Sequence, residues 1–244
     1  MLSTLKPSNN SKVRFIPNHN NTFGLTHGSP KNGGTCIGAT CGPGGCLDIR
    51  DGLKRQTCYV SKIVQIYKNV GKVLTSNSEL LVGKTQPEMT ELLIRTFQTF
   101  KDNNKKENWY YRLHWAGDFF SEDYARAMVE ACSTFPEIRF WVYTRSFDFV
   151  PILVEASNLA VYLSLDPVNK DKGLKIYEEL RYRYNNVGVA FMGPRDVTNI
   201  KFINCPETHG KIENTKDKGA CAKCKLCFTY TDKIQLRNIA FSLH

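Results

Sequence analysis

Four cysteines in the C-terminal part of the chain have the residue type and spacing of a metal centre. Cys221, Cys224 and Cys227 form a C-x2-C-x2-C run, and Cys205, which Pro206 follows, lies upstream. Three thiolates this close together can ligate one side of a four-iron cubane, and a remote fourth thiolate completes the ligation. The spacing therefore predicts a [4Fe–4S] cluster bound by these four cysteines. A zinc ion is the alternative, although structural zinc usually takes two separated C-x2-C pairs.

A second set of four cysteines, in the N-terminal part, is spaced less regularly. It comprises Cys36, Cys41, Cys46 and Cys58, and it matches neither a zinc knuckle nor a ferredoxin run. Clustered cysteines in a reduced chain usually bind metal or do chemistry, so we favour a second cluster here. A structural zinc ion, or three ligands with one bystander, is the alternative. The ninth cysteine, Cys132, falls in a predicted amphipathic helix, where a buried structural thiol is expected.

Charged residues follow four segments that are typical of β-strands. His114 and Asp118 follow the first segment, Arg145 the second, Asp166 the third and Arg195 the fourth. The carboxyl ends of parallel strands meet at one edge of a sheet, where α/β proteins bind their ligands, so these five residues are candidate catalytic groups. A structural role is the alternative for each of them, for example a helix cap at Asp118 or a turn at Asp166.

The segments that must position these residues alternate between strand and helix patterns. Branched and aromatic runs predict strands at 109–115, 138–144, 159–165 and 187–192. Amphipathic spacing predicts helices at 57–69, 87–100, 121–135, 147–157 and 172–184. Such alternation is typical of a parallel sheet covered by helices, and four strands do not complete an eight-stranded barrel. The predicted fold class is therefore α/β, with a partial (β/α) barrel or an open parallel sheet.

We expect three regions within one integrated domain. The first is an irregular Cys-rich segment (1–56), the second an α/β core (57–203) and the third a Cys-rich cluster-binding segment (204–244).

Composition and charge limit the class of protein further. Hydrophobic residues make up 41% of the chain, which is enough for a core. The net charge of +10 favours a weak association with nucleic acid, but the basic residues are scattered along the chain. No apolar run is long enough for a membrane span, and the first residues lack the apolar core of a signal peptide. We therefore expect a cytoplasmic protein without membrane contact, in which nine cysteines suit metal binding better than disulfides.

The order of these motifs resembles the phage gene-product-eighty-eight domain family of viral proteins. The resemblance spans roughly residues 34–230 and rests on Cys58–Tyr59, GDFF (117–120), YTRS (143–146), SLDP (164–167) and the final CP…CxxCxxC array. It implies a viral protein that binds an iron–sulfur cluster in a host cytoplasm. It also implies a layout similar to that of radical-SAM-like partial barrels with auxiliary clusters.

Three functions follow from these patterns, and the sequence leaves open whether the protein is an enzyme. The first is an iron–sulfur protein with a redox or structural role, acting with a redox partner or a small molecule. The second is a radical-SAM-like enzyme that uses a cluster and the polar strand ends. S-adenosylmethionine would be its cofactor, but neither array has the C-x3-C-x2-C spacing that leaves one iron open. The third is a nucleic-acid-associated protein whose loops are held in place by structural zinc. Full ligation by four cysteines favours the first.

Overall fold

The structure is a computed structural model that describes residues 3–38, 41–42, 45–48, 55–56, 58–192 and 200–241. Of residues 41–42, 45–48 and 55–56 it describes the backbone alone. The helices of the described chain are α1 (Tyr59–Ile66), α2 (Lys68–Glu79), α3 (Gln86–Asp102), α4 (Glu122–Thr134), α5 (Val150–Leu153), α6 (Lys170–Leu180) and α7 (Ala220–Cys224). Its strands are β1 (Cys41–Gly42), β2 (Gly45–Asp48), β3 (Arg55–Gln56), β4 (Tyr110–Arg112), β5 (Arg139–Thr144), β6 (Leu159–Leu165), β7 (Val187–Met192), β8 (Ile203–Asn204) and β9 (Ile239–Phe241).

Six of these strands form a single curled, open sheet. Their order is β4-β5-β6-β7-β9-β8, and every neighbouring pair is parallel. The first four strands are neighbours in chain order, as repeated strand–helix–strand units require. The predicted α/β class with an open parallel sheet is therefore confirmed. Strands β1, β2 and β3 form a separate antiparallel sheet, in which Cys41 lies opposite Cys46.

The two faces of the large sheet pack against different partners. Successive side chains of a strand point to opposite faces. On β5, Phe140 and Val142 point to the main core, which they share with the helices α3, α4 and α5. Trp141 and Tyr143 point to the opposite face, which we call the inner face. The chemistry of the inner face is therefore separate from the packing of the helices.

Both ends of the chain cover the inner face. The buried side chains that do so are Val13, Phe15, Phe228, Tyr230 and Leu236. The ring of Phe15 stacks on Tyr110 with centroids 4.3 Å apart, and the ring of Phe228 lies 4.6 Å from Trp141. An open sheet would otherwise expose this aromatic surface to water, at a cost of roughly 25 cal/mol for each Å².

Two predicted helices begin with the caps that their sequences suggest. Helix α3 spans the predicted segment and starts with a capping box, in which Thr85 and Glu88 bond each other. Its predicted apolar face is buried. Helix α4 starts after Ser121, whose Oγ accepts a hydrogen bond from the amide of Tyr124 at 3.1 Å. Cys132 of α4 is fully buried, which confirms its expected place in the core.

Other elements depart from their predicted bounds. The helix predicted at 57–69 ends at Ile66, because Tyr67 leaves the helical region (φ −112°, ψ 85°), and α2 then follows without having been predicted. Helix α2 buries Asn77, whose side-chain amide donates to the carbonyls of Lys6 and Gly24, both at 3.0 Å. A buried polar residue hides the apolar pattern from which a helix is normally recognised.

Strand β4 is shorter than predicted, and no strand was predicted at β8 and β9 of the large sheet or at β1, β2 and β3. The chain leaves β4 after Arg112 and turns at His114, which has the left-handed φ of 46°. The helix predicted at 147–157 is reduced to a 3-10 turn and α5. The last predicted helix, at 172–184, starts at Lys170 and ends at Leu180. Strands β8 and β9 are too short for an alternating pattern to reveal them. No helix in the described ranges is long and apolar enough to cross a membrane.

Candidate metal centre

The C-terminal cysteines are positioned by β8 and α7. Cys205 directly follows β8, and its amide donates to the carbonyl of Ala240 at 2.8 Å. Cys221 and Cys224 lie three residues apart on α7 and therefore share one helix face. Lys225 ends α7 with a left-handed φ of 59°, and this turn of the chain brings Cys227 back toward the other thiols. The C-x2-C-x2-C spacing thus becomes a helical turn followed by a reversal.

The start of α7 is fixed to the N-terminal segment. The amide of Cys221 donates to the carbonyl of Lys12 at 2.9 Å, and the amide of Gly219 donates to that of Arg14 at 2.9 Å. A Cβ atom at position 219 would lie 2.3 Å from the Lys12 carbonyl oxygen, so only glycine permits this approach. The two ends of the chain therefore meet at the first residues of the cysteine run.

All four C-terminal cysteines line one pocket. It is open to solvent, and it is also lined by residues that include Pro206, Glu207, Lys225, Leu226 and Phe228. These are the four thiols that the sequence predicts as ligands of one centre, and their role as ligands stays a prediction. Among the residues that the structure describes, no group of three or more His, Cys, Asp or Glu side chains meets the requirements of a metal-ion site.

Burial controls the electrostatics of these thiols. Burial raises the pKa of Cys221 to about 11, the Arg112 guanidinium opposes this rise, and the nearby Cys205 thiol adds to it. Burial also raises the pKa of Cys224 and of Cys227, and the Tyr143 hydroxyl beside Cys227 opposes the second rise. At neutral pH the three thiols are therefore protonated in the metal-free protein, and ligation of a metal would release their protons.

Ile239 and Phe228 of the inner face line the pocket, and two tyrosines lie on the same face of the sheet. Tyr143 of β5 lies opposite Tyr162 of β6, with ring centroids 5.1 Å apart. Burial first, and then the neighbouring Cys227 thiol, raise the pKa of both phenols well above its usual value. The guanidinium of Arg112 lies 5.4 Å from the ring centroid of Tyr143. Arg112, Tyr143 and Tyr162 were not among the predicted site residues. For the first two, the one signal in the sequence is strand alternation, which puts Arg112 on the same face of β4 as Tyr110 and Tyr143 on the same face of β5 as Trp141.

Two of the N-terminal cysteines, Cys36 and Cys58, lie near the carboxyl ends of β4 and β5. The amide of Cys36 donates to the carbonyl of Gly28 at 2.9 Å. Two residues later, a Cβ atom at Gly38 would lie 1.8 Å from the Arg145 carbonyl oxygen, so the segment lies directly on the end of β5. Cys58 precedes α1 and packs with Val60, Leu74 and Ala116. The side chains of Cys41 and Cys46 lie outside the part of the chain that is described.

The five candidate catalytic residues were predicted at the edge of the sheet formed by the carboxyl ends of its strands, which we call the rim. Three of these five are in direct contact. The buried carboxylate of Asp118 accepts hydrogen bonds from the Thr144 hydroxyl at 2.6 Å and from the backbone amides of Arg145 at 2.7 Å and Phe119 at 2.9 Å. Burial raises the pKa of Asp118, and these hydrogen bonds oppose the rise. The Nη1 atom of Arg145 pairs with the carboxylate of Asp166 at 2.6 Å. The carboxylates thus join the ends of β4, β5 and β6.

Asp166 has a further local role. Its Oδ1 atom accepts hydrogen bonds from the amides of Val168 at 2.8 Å and Asn169 at 3.1 Å. These contacts fix the turn between β6 and α6. A turn at Asp166 is the structural role that the sequence offered as the alternative to a catalytic one. Arg195, the fifth rim candidate, lies outside the described residues.

His114 lies apart from the other rim residues. Its Nε2 atom is 2.7 Å from the Tyr124 hydroxyl on α4, and its ring packs against Phe23 and Phe119. Burial, assisted by the positive charge of Arg112, lowers the pKa of His114 to about 3. The imidazole is therefore neutral at physiological pH and belongs to the packed core.

The fold and the pocket together define an α/β protein with an open parallel sheet and a four-cysteine pocket on its inner face. Residues 3–230 match the model of the family described as Gene product 88. Two relatives, both called Gene 88 protein, are 31% identical to this chain. The relative from Mycobacterium phage L5 aligns over 257 positions, 99% of this chain and 98% of its own length, and the one from Mycobacterium phage D29 over 244 positions, 93% and 94%.

The chain therefore belongs to the Gene product 88 family, and the resemblance seen in the sequence motifs is confirmed. No solved structure matches the chain.

Proposed function

We propose that this chain is an iron–sulfur protein whose [4Fe–4S] cluster is ligated by Cys205, Cys221, Cys224 and Cys227. The observation that carries the proposal is that these four thiols line one pocket on the inner face of the sheet. A cluster bound there would supply one-electron redox chemistry or hold the two ends of the chain together. We place the protein in the cytoplasm of a phage-infected host, acting with a redox partner or a small molecule.

The residues of the pocket fit such a cluster by their donor chemistry. The cysteines named as ligands are all soft sulfur donors, which select iron–sulfur clusters, zinc or copper over harder metals. They are half-buried, with aromatic rings below them and an open side toward solvent. Zinc also binds four cysteines, as a tetrahedral structural ion, and is the competing occupant.

The second cysteine array extends the proposal. Cys36 and Cys58 lie near the carboxyl ends of β4 and β5, whereas the C-terminal pocket lies on the inner face. We propose that this array, with Cys41 and Cys46, binds a second centre, a cluster or a zinc ion. The number of iron atoms per chain separates one cluster from two.

The radical-SAM-like and nucleic-acid hypotheses receive less support. Asp118, Arg145 and Asp166 hold one another and the strand ends in place. Groups already engaged in this way are less accessible for proton transfer to a substrate. We therefore assign no reaction to the rim, and S-adenosylmethionine keeps only the support of the family resemblance. Weak nucleic-acid binding remains a prediction from the net charge of +10.

Metal analysis of anaerobically purified protein tests the proposal. We expect brown protein with equal amounts of iron and acid-labile sulfide and a broad visible absorption band. Cys224→Ser removes a ligand from the middle of the run and should bleach that band. Cys132→Ala is the matched control, because this thiol lies in the core outside the pocket, and its metal content should equal that of the wild type.

Two results would contradict the proposal. Colourless wild-type protein with stoichiometric zinc and no sulfide would make the cysteines structural zinc ligands. Unchanged iron and sulfide in Cys224→Ser would remove the assigned ligand set.

A further inference from the structure

Helices α1 and α2 pack on the rest of the protein through one side of the pair. Val60 of α1 and Leu74 of α2 are buried against Ala116, in a small apolar cluster of their own. A Cβ atom at Gly71 would lie 2.7 Å from the Cγ1 atom of Val64, so glycine lets the two helices approach closely. These contacts hold the pair in a fixed orientation.

Two large side chains are exposed where α1 ends and α2 begins. Ile66, the last residue of α1, is 71% exposed, and Tyr67, which separates the two helices, is 61% exposed. An exposed tyrosine ring offers a flat apolar surface on which a planar group can stack. The junction of the two helices is therefore suited to a partner with planar groups.

Three lysines flank this junction, and no acidic residue of the same segment balances them. Residues 58–78 contain Lys62, Lys68 and Lys72 but neither Asp nor Glu. All three lysines are exposed, and the ion pairs between described residues include none of them. Since a helix rises about 1.5 Å per residue, Lys62 and Lys72 start within roughly 10 Å of Tyr67. Lys68 and Lys72 are four residues apart on α2, so their charges repel each other and favour an anionic partner.

A second exposed tyrosine lies in a charge-balanced setting. Tyr182, which follows α6, is 78% exposed. Its neighbours Arg181 and Arg183 are offset in number by Glu178 and Glu179, and Arg181 pairs with Glu178 at 3.1 Å. An exposed ring and an unbalanced positive charge therefore coincide at the α1–α2 junction but not at Tyr182.

We propose that the exposed side of the α1–α2 pair binds single-stranded nucleic acid. Its residues, which we call the α1–α2 surface, are Lys62, Ile66, Tyr67, Lys68 and Lys72. Every base has a π face that can stack on Tyr67, and the lysines neutralise phosphates without reading a base sequence. None of these residues lines the thiol pocket, so the inference is independent of the metal centre.

The size and chemistry of the surface favour this partner over two others. An anionic membrane would require a broad apolar helix face, whereas only Ile66 and Tyr67 are offered here among the lysines. An acidic protein would satisfy the lysines, but its carboxylates would not use the exposed ring. Unpaired bases on a phosphate backbone match both features at once.

The first experiment tests stacking by fluorescence anisotropy with the anaerobically purified whole chain. The probes are a labelled oligothymidylate and an abasic strand of the same length, which has the same phosphates but no bases. Tyr67→Ala should weaken binding of oligothymidylate about tenfold and leave binding of the abasic strand unchanged. Tyr67→Phe keeps the ring and should bind like the wild type, as should Tyr182→Ala. Equal effects of Tyr67→Ala and Tyr182→Ala, or no binding of oligothymidylate by the wild type, would overturn the proposal.

The second experiment tests the lysines through the salt dependence of the same binding. Each phosphate contact contributes about −0.7 to the slope of log K against log salt for a single strand, so each of Lys62→Gln, Lys68→Gln and Lys72→Gln should reduce the steepness by about that amount. Lys172→Gln is the control, because Lys172 is also exposed but pairs with Asp148. Slopes that stay at the wild-type value in all three variants would overturn the proposal. Loss of binding to phosphatidylserine vesicles but not to oligothymidylate in the triple variant would also overturn it, because the surface would then serve a membrane.

Discussion

Replacing Asp166 with asparagine tests whether the rim residues stabilise the fold. The Arg145–Asp166 pair has an N–O distance of 2.6 Å, and its side chains are only 12% and 8% exposed. The Lys172–Asp148 pair has the same distance of 2.6 Å, but its side chains are 58% and 65% exposed. Asp148→Asn is therefore a control that differs chiefly in burial.

The two substitutions should differ in cost because solvent screens one pair and not the other. Asparagine at position 166 can still accept from the amides of Val168 and Asn169, so the principal loss is the charge facing Arg145. Removing the carboxylate that faces a buried guanidinium costs about 3 kcal/mol of unfolding free energy. Asp148→Asn should cost less than about 0.5 kcal/mol, because exposed pairs contribute little.

Urea unfolding, followed by circular dichroism, measures both free energies, and metal analysis of the same samples completes the assay. For a chain of this length, a loss of about 3 kcal/mol corresponds to a fall in melting temperature of about 6–12 °C. Equal losses in Asp166→Asn and Asp148→Asn would refute the argument from burial. Loss of metal from Asp166→Asn at unchanged stability would show instead that the rim is part of a metal centre.

Two further predictions concern buried polar groups. The pKa of His114 is about 3 in the folded protein and about 6.5 when unfolded, so the unfolded state binds more protons between these values and stability falls as the pH drops. We expect His114 to account for a loss of about 2 kcal/mol between pH 7 and pH 5, measured by urea unfolding, and an equally steep loss in His114→Gln would contradict this. Asp118→Asn should cost about 1–3 kcal/mol, because its amide group would face the Arg145 N–H or the Thr144 hydroxyl. Its iron and sulfide content should stay at the wild-type level, and loss of metal would place Asp118 in the centre.

The central strands were predictable because a strand that is buried on both faces has a continuous apolar run in its sequence. Strands β6 and β7 have the predicted bounds, because LAVYLSL and VGVAFM are buried on both faces and contain few polar residues. Helix α2 escaped prediction because it buries Asn77 and Ser78, whose partners come from the distant N-terminal segment. A partner tens of residues away leaves no local pattern.

The candidate ligands stay a prediction from cysteine spacing, whereas the residues around them left no clear signal in the sequence. Cysteine spacing indicated the thiols that share the pocket, since ligands on one short helix must be close in sequence. Arg112 and Tyr143 were missed because both faces of β4 and β5 carry aromatic residues, so alternation alone does not tell which face holds the site. His114 was placed with the rim, yet its left-handed backbone turns the ring toward α4.

If the proposed cluster is present, the position of the pocket links its role to the closure of the inner face. An open sheet needs a cover on its inner face, and Phe228, the residue after Cys227, supplies part of that cover against Trp141. The amide of Cys221 is bonded to Lys12, so ordering the cysteine run also orders the N-terminal segment that carries Phe15. Because metal–thiolate binding free energy acts as folding free energy where the site forms only in the folded state, the proposed cluster would stabilise this cover. The same proposed cluster would then both carry electrons and keep the inner face of the sheet covered.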